Sequence, residues 1–163
     1  MEISYSGIVD DMAELLFARR DNPETVLYLP QLIHRIQQFC IDYDTDSKPA
    51  VMADQVWRLF GSGDRRLGLW FIREENKVIG HLLAHPEPLD HEFGPWEYGL
   101  IRQAKVDKGK DVRDLTIKCM ESVAEWGRLM KMPKLTMLTH RNESAMLRRF
   151  GWQPYKALMI MPL

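Results

Sequence analysis

The spacing of apolar positions predicts that residues 1–63 form a helical first part of the chain. Over residues 29–43, apolar side chains recur at intervals of three and four, as in an amphipathic helix, and Pro30 suits its first turn. Residues 52–60 repeat this pattern before two glycines end it. A short helix is also expected after Asp10 or Asp11, and its apolar face would carry Met12, Leu15 and Leu16.

The pattern changes to strands after residue 63. Residues 67–73 and 78–85 are β-rich runs separated by Glu-Glu-Asn-Lys, which predicts a hairpin. A third strand is predicted over residues 96–106. An apolar stripe over residues 112–130 then predicts the longest helix, which Pro133 prevents from continuing.

A strand at residues 134–139, a short helix started by Asn142 and closed by Gly151, and a strand at residues 155–161 complete the predicted order. Strand, long helix and strand form a βαβ unit, which requires a parallel strand pair. Because the opening hairpin is antiparallel, the predicted sheet is mixed. The final strand either pairs across a homodimer or is buried in the core, and the pattern fits both.

Composition and charge limit the classes of protein. Hydrophobic residues make up 45% and charged residues 28% of the 163 positions, as in one soluble globular domain over residues 1–163. A net charge of −1 gives no support to nucleic-acid binding through bulk electrostatics. No signal peptide and no run of about 20 apolar residues is visible. Cys40 and Cys119 lie in helical patterns, so we expect reduced cysteines in a cytoplasmic protein without membrane partners.

Two short segments carry a family resemblance. Val-Asp-Lys-Gly-Lys-Asp-Val-Arg, over residues 106–113, joins the third strand to the long helix. Asn-Glu-Ser-Ala, over residues 142–145, is followed by Phe-Gly-Trp at residues 150–152. With the strand order, these segments resemble the GNAT superfamily of acyl-CoA-dependent N-acyltransferases over residues 67–163. Divergent members of that superfamily are often carried by phages and other mobile elements.

The resemblance implies an α/β (α+β) fold, with a GNAT-like mixed central sheet, helices on both faces and the helical N-terminal third. It also implies acetyl-CoA as co-substrate, with the pyrophosphate held by the loop at 106–113 and the start of the long helix. The implied cofactor-binding positions are Ala104, Val106, Lys108, Gly109, Lys110, Asp111, Val112, Arg113 and Asn142.

The phosphate loop departs from the family pattern, because Asp111 and Arg113 stand where two further glycines are usual. One interpretation makes Asp111 the N-cap of the long helix, with Asp114 three residues on. The other keeps Gly109 for the turn and lets the basic side chains meet the phosphates.

Amine acylation needs a base for the ammonium, a donor for the thioester oxygen and an acid for the leaving thiolate. Glu97 is the candidate base, and it fits a solvated strand residue nearly as well. His140 is either a base, a substrate contact or a loop histidine without function. The family's acid is a tyrosine at a place where this chain has Leu147. Tyr155 and Tyr98 are candidate substitutes, although both fit ordinary core tyrosines better.

The connection at residues 85–95 contains acidic Glu87, Asp90 and Glu92, which would suit a cationic amine acceptor, either a small molecule or a protein. A solvated rigid loop explains it equally well. No metal site is predicted, because His81 and His85 lie about 13 Å apart on an extended strand. Asp42, Asp44 and Asp46 lack the glycine and glutamate of a calcium loop.

Two functions stay open from the sequence. One is acetyl transfer from acetyl-CoA to a primary amine by direct attack. The other is a GNAT-fold binding or assembly protein without catalysis, which the missing tyrosine and Asp111 favour.

Overall fold

A computed structural model describes residues 12–44, 46–89, 96–137, 148 and 151–152. The strands are β1 (Glu14–Phe17), β2 (Gly68–Glu74), β3 (Lys77–Glu87), β4 (Tyr98–Val106) and β5 (Leu135–Met137). The helices are α1 (Pro23–Val26), α2 (Leu29–Asp42), α3 (Pro49–Gly61) and α4 (Arg113–Leu129). No helix within these ranges is long and apolar enough to cross a membrane.

The five strands form one mixed sheet in the order β1-β2-β3-β4-β5. The first three neighbouring pairs are antiparallel, and β4 pairs with β5 in parallel. The connection through α4 makes the parallel pair geometrically necessary. The predicted hairpin, βαβ unit and mixed sheet are therefore confirmed.

Helices cover both faces of the sheet, as predicted. On one face α2 and α3 bury Leu32, Ile36 and Val56 against Leu69 and Leu83 of the sheet. On the other, Cys119, Val123 and Trp126 of α4 pack on Trp70 and Ile101. Both cysteines are unpaired and buried, and burial raises the pKa of the Cys119 thiol to about 12.

The predicted helix with Met12, Leu15 and Leu16 on one face is wrong, because β1 occupies this stretch. Leu15 pairs with Ile72 of β2, and Leu16 pairs with Phe71. Leu15 contributes to the core under α4, while Leu16 contributes to the core under α2 and α3. Adjacent apolar residues imitate a helical stripe when a strand is buried on both faces. The caps proposed at Asp10 and Asp11, the helix started by Asn142 and the strand at 155–161 lie outside the described residues.

Candidate acyl-transfer site

The loop after β4 makes a tight turn around Gly109, as the sequence predicted. Gly109 has φ +79°, a left-handed conformation that glycine adopts without a steric penalty. The Lys110 amide donates to the Asp107 carbonyl across the turn. Apart from its chain neighbours, no atom of the described residues lies within 4 Å of where a Cβ would stand on Gly109.

The first turn of α4 is uncapped among the described residues. Its N-cap is Val112, and no described side chain bonds the helix start, so the N-cap interpretation of Asp111 is wrong. The first backbone bond of the helix runs from the Thr116 amide to the Val112 carbonyl at 2.9 Å. The amides of residues 113–115 therefore point out of the helix without a backbone partner, in the arrangement that binds anions.

The charged side chains of this loop differ in whether they form ion pairs. Lys108, Asp111 and Arg113 are exposed. Lys110 is also exposed, but its ammonium pairs with Glu74 of the β2–β3 hairpin, and this contact raises the pKa of Lys110. A phosphate would have to compete with Glu74 for Lys110, whereas Lys108 and Arg113 carry no such ion pair among the described residues.

The strand that leads to the loop has described neighbours on both of its edges. Within the described residues β4 pairs with β5 only at Gly99, Leu100 and Ile101. On its other side a bulge places Arg102 between the pairs of Ala84 with Ile101 and of Leu83 with Gln103. Ala104 is exposed and Val106 is half-buried, so this end of the strand is accessible to solvent.

A cavity of about 570 Å³ lies on the opposite side of β4, between the sheet, α3 and the α2–α3 connection. Its volume falls within the usual range for small-molecule sites. Leu67, Leu83, His85 and Arg102 line it from the sheet. Residues 46–48 and α3 form the facing wall, and Glu87, Pro88 and Leu89 form the rim.

His85 is the titratable group buried at this cavity. The residue is 8% exposed, and burial lowers the pKa of its ring below the ordinary value, although the Pro86 carbonyl and Glu87 oppose this effect. Nδ1 lies 2.9 Å from the Pro86 carbonyl oxygen and 3.6 Å from Glu87 Oε1. A carbonyl oxygen only accepts, so Nδ1 carries the proton and Nε2 is the basic nitrogen of the neutral ring.

Arg102 is the oriented cation at the same cavity. Its Nη2 donates to Ser47 Oγ at 2.7 Å, and its Nε lies 3.8 Å from Asp44 Oδ2. The Ser47 hydroxyl in turn donates to Asp44 Oδ2 at 2.6 Å. Nη1 of Arg102 has no hydrogen bond within the described part of the chain.

The candidate base Glu97 lies outside this cavity lining. Its side chain is exposed, and its amide donates to the Glu87 carbonyl at 3.0 Å. Tyr98 begins β4 opposite Glu87. His140, Asn142 and Tyr155 fall outside the described residues, so their predicted roles stay predictions. The sequence analysis did not single out His85 as a buried titratable group, although a histidine within an otherwise apolar strand was a signal for one.

The sequence matches no family model and no curated protein. The fold, in contrast, is similar to solved acetyltransferase structures. A GCN5-related N-acetyltransferase from Ralstonia eutropha JMP134 aligns with TM-score 0.61 and 13% identity over 93% of this chain and 99% of that one. The aminoglycoside acetyltransferase meta-AAC0020, from an uncultured soil metagenomic sample, aligns with TM-score 0.60 and 14% identity over 95% and 99%.

This chain therefore has the fold of the GCN5-related N-acetyltransferases, the GNAT fold. Integron cassette protein HFX_CASS3, from the mobile metagenome of Cole Harbour Salt Marsh, shares it with TM-score 0.61 and 14% identity over 91% of this chain and 89% of that one. That protein comes from a mobile element, the setting that the sequence resemblance suggested.

Proposed function

We propose that this protein is an N-acyltransferase that moves an acetyl group from acetyl-CoA to an amine by direct attack. The observation that carries the proposal is the uncapped first turn of α4 behind the Gly109 turn. Open amides and the positive end of the helix dipole suit a pyrophosphate. Lys108 and Arg113 would add side-chain contacts to it.

The two open regions beside β4 suit the two substrates. Acetyl-CoA would lie along the accessible end of β4, where Ala104 is exposed, and a backbone amide of β4 would donate to the thioester oxygen. The amine would enter from the cavity on the other side, next to His85.

His85 is our preferred base in this reaction. Nε2 takes one proton from the ammonium, and the freed nitrogen lone pair attacks the thioester carbonyl carbon. The C–S bond then breaks, the sulfur leaves as thiolate and takes up the second proton that the attacking nitrogen releases, and the acetyl group ends as an amide with one N–H. A neutral histidine near pH 7 suits this role because its lowered pKa keeps it unprotonated.

The test is calorimetric titration with CoA and acetyl-CoA, with Asp111→Asn as the informative variant. The Asp111 carboxylate is exposed beside the open amides and repels phosphate, so its removal should tighten CoA binding about two- to fivefold at low salt. The advantage should shrink at high salt. Asp54→Asn, on the α3 surface across the sheet, is the control and should leave the affinity unchanged. Absence of CoA binding at millimolar concentration would sink the proposal.

A catalytically inactive binding protein is the second candidate, and the leucine at position 147 favours it. Binding of CoA without turnover of any amine would support this candidate. Release of CoA thiol with formation of an N-acetyl product would exclude it.

A further inference from the structure

The charges around the cavity indicate what kind of amine it accepts. Its described lining holds two acidic residues, Asp46 and Glu87, and two basic residues, Lys48 and Arg102. His85 adds no charge near neutral pH because burial lowers its pKa. A polycation needs an excess of carboxylates, whereas the described part of this lining carries both signs equally. The balance suits a molecule that itself has one positive and one negative group.

Apart from Ser47, Gln55 and His85, the uncharged side chains of the lining are apolar. Met52 and Val56 of α3 face Leu67 and Leu83 of the sheet, and all four are buried. Leu59 extends this wall along α3. The four buried side chains offer little surface to a ligand, which gains instead by covering half-buried Leu59 and exposed Val51 of the same lining. A sugar-like or purely ionic acceptor has no apolar group to cover this surface, so it would not gain this free energy.

Arg102 is held ready for an anion. A hydrogen bond to Ser47 holds Nη2, Asp44 lies beyond hydrogen-bond distance of Nε, and Nη1 has no partner in the described part of the chain. Its pairing with Asp44 is long, at 3.8 Å, so the positive charge is only partly neutralised. A half-buried guanidinium held in one orientation is suited to binding a carboxylate.

Arg102 and His85 belong to adjacent strands at the same level of the sheet. His85 pairs with Leu100 of β4, two residues before Arg102. The positive charge of Arg102 is close enough to contribute to the lowered pKa of His85. An amine positioned for His85 therefore has a carboxylate-binding cation beside it, which matches a molecule that carries both groups on neighbouring atoms.

We propose, on the basis of the acyl-transfer function above, that the acceptor is an α-amino acid with a large apolar side chain. Its carboxylate pairs with Arg102, and its amino group lies at His85 Nε2. Its side chain packs against the apolar residues of α3 and the sheet that line the cavity.

The test compares L-leucine and L-phenylalanine with L-leucinamide, which keeps the amine and side chain but lacks the carboxylate. We expect kcat/KM for leucine to exceed that for leucinamide by at least about tenfold, as for other charge-assisted contacts. Arg102→Gln should bring this ratio close to one. Arg58→Gln, at an exposed arginine of α3, is the matched control and should keep it.

Direct binding makes the outcome independent of turnover and of the variant's folding. Calorimetry on the wild-type protein with CoA present should detect leucine at least tenfold more tightly than leucinamide. Equal binding of the two, or a preference for spermidine or kanamycin, overturns the amino-acid proposal while acyl transfer stands. If no amine is acetylated, the acyl-transfer function fails, and the leucine-to-leucinamide binding ratio still decides what the cavity recognises.

Discussion

At the residue scale, His85 and Glu97 occupy different environments. Glu97 is exposed to solvent at the start of β4, and His85 is buried on β3 with one ring nitrogen fixed by the Pro86 carbonyl. A base near pH 7 needs a pKa that leaves it unprotonated and a fixed direction for its lone pair. The structure provides both for His85.

The pH dependence of kcat/KM distinguishes these two residues. If His85 is the base, kcat/KM of the wild type should rise with pH only until His85 loses its proton and should then stay constant. This plateau should begin below pH 6.5, because burial lowers the pKa of His85 and the neutral ring can take the proton of the ammonium substrate. The His85→Gln substitution should lower kcat/KM about 10²–10⁴-fold. The logarithm of kcat/KM of this variant should rise by one per pH unit up to the pKa of the amine substrate. Glu97→Gln should follow the wild-type profile. A Glu97→Gln profile without a plateau would instead assign the base to Glu97.

At the element scale, the helices and the hairpin follow from local pattern, while β1 depends on its neighbours. Residues 29–43 and 112–130 formed α2 and α4 as predicted, because each helix buries a single stripe. Residues 14–17 are too few to show a period of their own, and their pairing with β2 decided their conformation. Phe17 then stacks on Trp70 at 4.5 Å between ring centroids.

The close fit around Trp70 gives a prediction at Gly68, the first residue of β2. A Cβ at Gly68 would stand 2.6 Å from the Trp70 ring, which is 1% exposed and held by a bond to Ser122. Gly68→Ala should therefore lower the free energy of unfolding by about 1–3 kcal/mol. Gly61→Ala is the control. No atom of the described residues lies within 4 Å of a Cβ at Gly61, and alanine has a higher helix propensity than glycine at the end of α3. Equal melting temperatures for the two variants would contradict this account.

At the scale of the whole molecule, one polar network, buried at His81 and Gln103 and partly exposed at Arg35 and Asp107, joins α2, β3, β4 and the loop that follows β4. Arg35 of α2 pairs with Asp107 at 3.0 Å and donates from Nε to His81 Nδ1 at 3.4 Å. His81 Nε2 donates to Gln103 Oε1 at 2.9 Å, and Gln103 Nε2 donates to the Ile36 carbonyl. These bonds fix His81 as a neutral ring, because a proton on Nδ1 would face the Arg35 guanidinium.

This network predicts a loss of stability in acid. Burial lowers the pKa of His81 to about 4, so the unfolded chain takes up this proton first as the pH falls. The neutral His81 ring contributes its full share to the free energy of unfolding above about pH 6.5. This share, on the order of 3 kcal/mol, is lost as the pH falls toward 4. Denaturant unfolding should show the stability difference between wild type and His81→Gln shrinking over that interval.

A constant difference across that pH range would contradict the role of His81. If His81→Gln does not fold, NMR titration of the wild-type ring decides instead, and its signals should stay those of a neutral histidine down to pH 5.

The sequence by itself determined the amphipathic helices, the hairpin, the parallel crossover and the glycine turn at Gly109, because each depends on residues close together in the chain. Its candidate base, Glu97, differs from the histidine that we propose from the structure. Only the tertiary structure decided that β1 is a strand, that Asp111 leaves the start of α4 uncapped, and that His85 and Arg102 meet at one cavity. These outcomes depend on contacts between residues far apart in sequence, and on burial, which no local pattern specifies.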